Sequence, residues 1–370
     1  MIQPEERIRA AQAAVIVSNL ILGAGILTLP RSALENTHTP DAWIAVLLAG
    51  ALALLGGCGI ALLSRRYPGQ TVYEFAGRIV GRAPGFVLSV LIVAYFLATA
   101  AFQVRSMSEV SSFFLLEGTP TWVITAIFLW VGLYLTVGGI GPIARLFEII
   151  LPATVAFLAL LSVLSLRIFE PDRIRPVLGE GIAPVLRGLK ATSLAYSGSE
   201  IMLILTAYMR SPKQAVKAVA AGILVPIALY VPIVFIAVGA LSVEGTLSRT
   251  WPTIDLIRSF EIGGLIFERF ESLLLITWIL QIFSSFTIAY YAASLGVSRL
   301  LGGRSARLCL YALLPVVYLL IRAPRNIRDV FGFGDVIGEC YIWMFGALPW
   351  ALLILSVCKE KWNAKGQPSS

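Results

Sequence analysis

Residues 15–31 read VIVSNLILGAGILTLPR, an apolar run of membrane-spanning character interrupted near its middle by Gly23, Ala24 and Gly25 and closed by Pro30. In hydrocarbon every backbone N–H and C=O needs a partner, so a glycine-rich break at mid-depth is tolerated only where the freed groups face protein or a wet cavity. Two roles fit this segment taken alone. The break is a binding site, or its small residues let a neighbouring helix come close.

The rest of the chain sets the context. Of 370 residues, 58% are hydrophobic, and the mean hydropathy is +0.85, values a water-soluble domain does not reach because its surface must be largely polar. The expectation is an all-α polytopic membrane protein. The first dozen residues carry Glu5, Glu6, Arg7 and Arg9, and no small-residue cleavage site follows the first apolar run, so that run reads as a retained helix. A hydrocarbon core of about 30 Å asks for about 20 apolar residues per helix. Ten segments answer, near 11–34, 42–64, 84–116, 121–138, 144–166, 188–209, 215–240, 269–298, 306–321 and 336–357. They divide into a first repeat at 8–166 and a second at 184–358, followed by a short tail at 359–370 that reads as disordered.

The net charge of +8 comes from basic residues spread over loops, so no basic face for nucleic acid forms. With both termini cytoplasmic, 16 of the 29 Lys and Arg lie inside, 12 lie outside and Arg105 sits in a span, a modest positive-inside bias. Cys58, Cys309, Cys340 and Cys358 are scattered without metal-ligand spacing, so neither a disulfide framework nor a metal site is expected. His38, the only histidine, belongs to a loop. Without a metal constellation or a nucleophile beside a base, an intramembrane enzyme is disfavoured, and no cofactor is expected.

The sixth segment, GLKATSLAYSGSEIMLILTAYM, brings Tyr196, Ser197, Gly198, Ser199 and Glu200 into the middle of an apolar helix. Burying a carboxylate there costs several kcal/mol unless it is protonated, paired or hydrated, so Glu200 is a candidate cavity residue, with a structural hydrogen bond as the alternative. The first and sixth segments hold matching places in two five-helix halves, and both are broken. That is the sequence mark of a transporter-type site between inverted repeats.

Other features are secondary. The second segment has a small-residue stripe, Ala49, Ala53, Gly57 and Ala61, suited to helix packing. The stretch 65–85 reads as a turn at Pro68 and Gly69 and a short surface helix. The third segment holds Tyr95, Phe102, Gln103, Arg105 and Glu109, the last two spaced to pair on one helix face. Residues 241–268 form a long connection, read as a short helix split by Gly263 and Gly264 that acts as a lid or a static cap. The eighth segment opens with Glu268 and Glu271 and continues through Trp278 and Gln281 to Ser284, Ser285 and Thr287. Phe102, Gln103, Ser284 and Thr287 are secondary ligand candidates.

Together LILGAGILTLP (20–30), YPGQTVYEFAGRIVG (67–81), SGSE (197–200) and ERFESLLLITW (268–278) resemble the spore-germination permeases, the GerAB-type B subunits of germinant receptors in the amino acid, polyamine and organocation transporter superfamily. The resemblance covers about residues 8–358 and implies ten transmembrane helices in a LeuT-type 5+5 inverted repeat with helices 1 and 6 broken. It implies a small germinant, commonly an amino acid, sensed in the spore inner membrane beside an A subunit and a C-subunit lipoprotein. By the superfamily pattern the ligand contacts are Gly23, Ala24, Gly25, Ser197, Gly198 and Ser199. The expected pose rests a carboxylate on N–H groups freed at the two breaks and turns the amine to carbonyls or to a carboxylate such as Glu200. A working amino acid permease is the alternative function. A lysine found in the fifth span of some proton-coupled relatives has no counterpart at 146–166. The tail lysines would face anionic membrane lipid.

Overall fold

Helices dominate because apolar runs of this length in a bilayer can satisfy their backbone only internally. The computed structural model describes residues 7–23, 25–192, 194–259 and 270–365. Ala24, Gly263, Gly264 and Glu268, singled out above, lie outside these residues. In chain order the helices are α1 (Ala10–Ile21), α2 (Gly25–Thr37), α3 (Ala42–Ser64), α4 (Val72–Val80), α5 (Arg82–Phe114), α6 (Thr121–Val137), α7 (Ile140–Ser165), α8 (Ala183–Ala191) and α9 (Met202–Tyr208). They continue with α10 (Ala215–Leu241), α11 (Val243–Leu247), α12 (Pro252–Arg258), α13 (Phe270–Leu300), α14 (Ala306–Arg322), α15 (Ile327–Tyr341) and α16 (Leu348–Lys365).

Six spans qualify for a membrane crossing by length and composition, and the pair α1 and α2, bent by 58°, makes a seventh. The helix α6 is apolar but shorter. The final segment is longer than its apolar pattern indicates. A π-helical turn at Ile342–Ala347 joins α15 to α16. The helix then runs to Lys365, so the tail expected to be disordered from 359 is helical over its first half.

The core is built on small residues at helix crossings. On α3, Ala49, Ala53, Gly57 and Ala61 are buried, and a Cβ on Gly57 would come within 2.8 Å of Ile223 and 2.9 Å of Val219 of α10. Where α10 crosses α1, Gly222 lies against Val17 and its carbonyl accepts the Ser18 hydroxyl at 2.9 Å. The long helix α13 packs against α5, α7 and α1.

Polar ties close the face of the bundle that holds Ile8, here the terminal face. Ile8 and Met209 form a parallel bridge, with the Ile8 N–H donating to the Tyr208 carbonyl and the Arg210 N–H to the Ile8 carbonyl, each at 2.9 Å. Nearby Arg9 pairs with Glu148 at 3.0 Å. The short helix expected within 65–85 is α4, begun by a capping box in which the Thr71 N–H donates to Glu74 at 2.8 Å. On the opposite face, the connection after α10 forms two short helices, α11 and α12. The break between them falls before Pro252, a favourable first helical residue, and the expected split at Gly263 and Gly264 lies outside the described residues.

Candidate functional site

Both expected breaks occur, and they touch. After Ile21 the first span leaves helical geometry and resumes at Gly25. In the sixth segment α8 ends at Ala191, two single 3₁₀ turns follow at Leu194–Tyr196 and Ser199–Ile201, and α9 begins at Met202. A Cβ on Gly25 would stand 3.4 Å from the Ala195 Cα, and one on Gly198 would stand 2.8 Å from the Ile21 nitrogen. Gly198 also has φ of +147°, a conformation open in practice only to glycine.

Interrupting a helix leaves carbonyls without partners, and here side chains from other helices supply the donors. Tyr230 of α10 donates its hydroxyl to the Ile21 carbonyl at 2.8 Å. Ser285 of α13 donates to the Asn19 carbonyl at 2.9 Å, and the Gln281 amide reaches the same carbonyl at 3.4 Å. Gly23 packs against Ser285 and Gln103, leaving a hypothetical Cβ 2.5 Å and 2.6 Å from their polar atoms.

Glu200 is fully buried. One carboxylate oxygen accepts the Tyr95 hydroxyl at 2.9 Å and the other accepts the Gly198 N–H at 2.6 Å. The side chain therefore ties the sixth-segment break to α5. Ser199 is hydrogen-bonded to the Tyr341 hydroxyl at 3.0 Å, and the Ser197 hydroxyl closes a local turn on the Leu194 carbonyl at 2.8 Å.

A cavity of about 80 Å³ opens above the breaks, on the α2 side. Its walls come from Gly25 and Leu29 of α2, Phe102, Ser106 and Glu109 of α5, Leu194 and Ala195 of the second break, Trp251, Trp278 of α13, and Asp335 of α15. At roughly 10–15 Å³ of solvent-centre volume per water, it has room for about six waters, which matches a solute of a few heavy atoms. Trp251 in its wall packs edge-on against Phe114 with ring centroids 5.2 Å apart. Its neighbour Thr253 on α12 donates to the Ile26 carbonyl at 2.9 Å, strapping the connection to α2.

Among the sequence candidates, Gly25 and Phe102 line this cavity. Gly23 and Gln103 meet at the first break, where the buried Gln103 Oε1 has no partner among the described residues. Tyr196 lines a different hollow, of about 320 Å³, between α3, α8 and the π-helical turn, and its hydroxyl likewise has no partner among the described residues. Gly198, Ser199 and Glu200 are engaged with Ile21, Tyr341 and Tyr95 as described. Ser284 and Thr287 donate to carbonyls of their own helix, Leu280 and Phe283 respectively; Ser285 is the hydroxyl of that group that reaches the first break. Arg105 and Glu109 pair at 2.5 Å. Sequence reasoning did not gather Ser106, Glu109, Trp251, Trp278 and Asp335 around one cavity. A signal was present, since 102, 106 and 109 repeat at helical spacing on one face of α5, as do 25, 29 and 32 on α2. No group of three or more potential metal ligands occurs among the described residues.

Residues 7–330 match the sequence pattern of a family described as spore germination protein. The chain is 51% identical to spore germination protein YndE of Bacillus subtilis (strain 168) over 367 residues, covering 99% of this chain and 100% of that one. Spore germination proteins A2 and B2 of the same organism are 35% and 33% identical, with 97% and 98% of this chain covered and 98% of each relative. Among solved structures, the fold is similar to Mhp1, a nucleobase-cation-symport-1 family transporter in a closed conformation with bromovinylhydantoin bound. The TM-score is 0.64 at 15% identity, over 92% of this chain and 81% of that one. This likeness shows the fold, the LeuT-type arrangement that the family resemblance implied.

Proposed function

This chain belongs to the spore germination protein family, and we propose that it is the membrane subunit of a germinant receptor that binds a small germinant, an amino acid, between its two broken spans and so triggers germination. The observation that carries this reading is the meeting of Gly25 with Ala195 at the base of a small, largely apolar cavity. Discontinuous helices at mid-membrane offer backbone groups to a guest, and the aromatic walls suit an aliphatic side chain.

In this reading the spore inner membrane holds the chain with both termini on the cytoplasmic side. Counting α6, α14 and the interrupted pair α8 and α9 as crossings gives ten. The cavity then faces outward, where germinants arrive, and the closed terminal face lies inside. In the same reading the chain works beside A-type and C-type receptor subunits. Family and fold are those of receptors and transporters.

Spores carrying or lacking this chain, challenged with a panel of amino acids, sugars and nucleosides, test the proposal. Germination to an amino acid only in spores that carry it is the expected result; identical responses in both would overturn it. Uptake of labelled amino acid by proteoliposomes holding the purified chain would turn the reading to a permease, since the same cavity serves binding and transport.

A further inference from the structure

Two carboxylates on the cavity wall have no task in the reading above. Glu109 stands on α5 and Asp335 on α15, and both line the cavity. Glu109 is half-buried, and one of its oxygens is taken by Arg105 at 2.5 Å. Asp335 is solvent-accessible and makes no hydrogen bond or ion pair among the described residues. Arg105 stands beside Glu109, while Lys190, Glu35 and Glu339 stand around Asp335.

The remaining wall has the opposite character. Gly25 begins α2, whose first-turn N–H groups have no intrahelical acceptors and carry the positive end of the helix dipole. Trp278, only 2% exposed, is also in the wall, and its indole N–H has no acceptor among the described residues. A buried donor left open in this way calls for an acceptor from a guest. Phe102 and Trp251 add aromatic faces to the same wall. The lining therefore combines open donors, carboxylates and apolar rings.

We infer that Glu109 and Asp335 receive the ammonium group of the ligand, while its acceptor end lies toward the start of α2 and the Trp278 indole. The inference rests on the small-germinant reading and changes its chemistry. The amine leaves Glu200, whose two oxygens are already held by Tyr95 and Gly198, and turns to carboxylates that face the cavity. Arg105 becomes a resident counter-ion that shares Glu109 with the guest.

The test uses the full chain purified in lipid nanodiscs and labelled L-alanine and propionate, two probes of similar size that differ by the ammonium group. Wild type is expected to prefer L-alanine by about tenfold or more, as charge-assisted hydrogen bonds are the strong ones. Glu109→Gln and Asp335→Asn should each remove most of that preference with propionate still bound, while Glu109→Asp should keep it. An unchanged preference in both neutral variants overturns the inference and leaves the site standing. Binding of neither probe by wild type overturns the small-amino-acid reading, and the inference falls with it. The two carboxylates stand on separate helices, so a variant that loses both probes through misfolding is read through the other; loss of both probes in both variants overturns the inference.

Discussion

Gly198 lies directly on the backbone of Ile21, so close that a Cβ would stand 2.8 Å from the Ile21 nitrogen, and its φ of +147° excludes other residues independently. The two interruptions are thus one structure. Gly198→Ala meets both obstacles, a strained backbone worth about 1–3 kcal/mol and a steric clash with main chain. The expected outcome is a sharp fall in the amount of folded chain recovered from membranes, measured by immunoblot and by the melting transition in detergent. Wild-type recovery and melting would show that the breaks tolerate separation.

Gly25 is a different case, because its Cβ direction opens on atoms 3.2 Å and 3.4 Å away, ordinary to tight contact, beside the cavity. Gly25→Ala is expected to fold with a modest loss of stability. Gly25→Trp should fill the cavity and abolish the germination response while leaving membrane insertion intact. Spores of the Trp variant that respond to the same ligand at the same concentration would exclude this cavity as the binding place.

Glu200 is expected to act on stability. Tyr95→Phe leaves one carboxylate oxygen without its donor and should cost about 1–3 kcal/mol, seen as a lowered melting temperature. Glu200→Ala should cost more, since it also frees the Gly198 N–H. Glu200→Gln keeps the shape and can accept from Gly198, so it should retain most of the stability and a near-normal ligand concentration dependence. A large shift in that dependence with an unchanged melting temperature would instead put Glu200 in contact with ligand.

The strap is tied to α2 by the Thr253 hydroxyl and by Arg31, which donates to the Arg249 carbonyl at 3.4 Å. Thr253→Val removes the donation to the Ile26 carbonyl, a net contribution of about 1 kcal/mol. Hydrogen exchange in residues 252–258 is expected to rise several-fold in the variant, with exchange in α5 and α13 unchanged. Equal exchange in the two proteins would mean that the remaining ties, with the packing of Trp251, hold the strap.

The fold was legible because membrane burial makes rare things conspicuous. A Gly-Ala-Gly run inside an apolar helix, and Ser-Gly-Ser-Glu inside another, have few explanations in hydrocarbon, and their matching positions pointed to a site between inverted repeats; the LeuT-type arrangement itself came from the family resemblance. Within the site, local rules worked and distant ones did not. The spacing of Arg105 and Glu109 announced their pairing. The partners of Glu200 and Ile21, by contrast, are Tyr95 and Tyr230, remote in sequence and set by helix packing that no local pattern encodes. The hydroxyls of Ser284, Ser285 and Thr287 looked equivalent in the sequence. Rotation about α13 sends two of them to their own backbone and only Ser285 to the first break.

At the terminal face, Ile8 is hydrogen-bonded on both sides to the strand-like segment at Tyr208–Arg210. The near ends of the two discontinuous spans are therefore riveted to each other. A tilt imposed on either one must be shared, so the two breaks answer as a unit to a push at that corner.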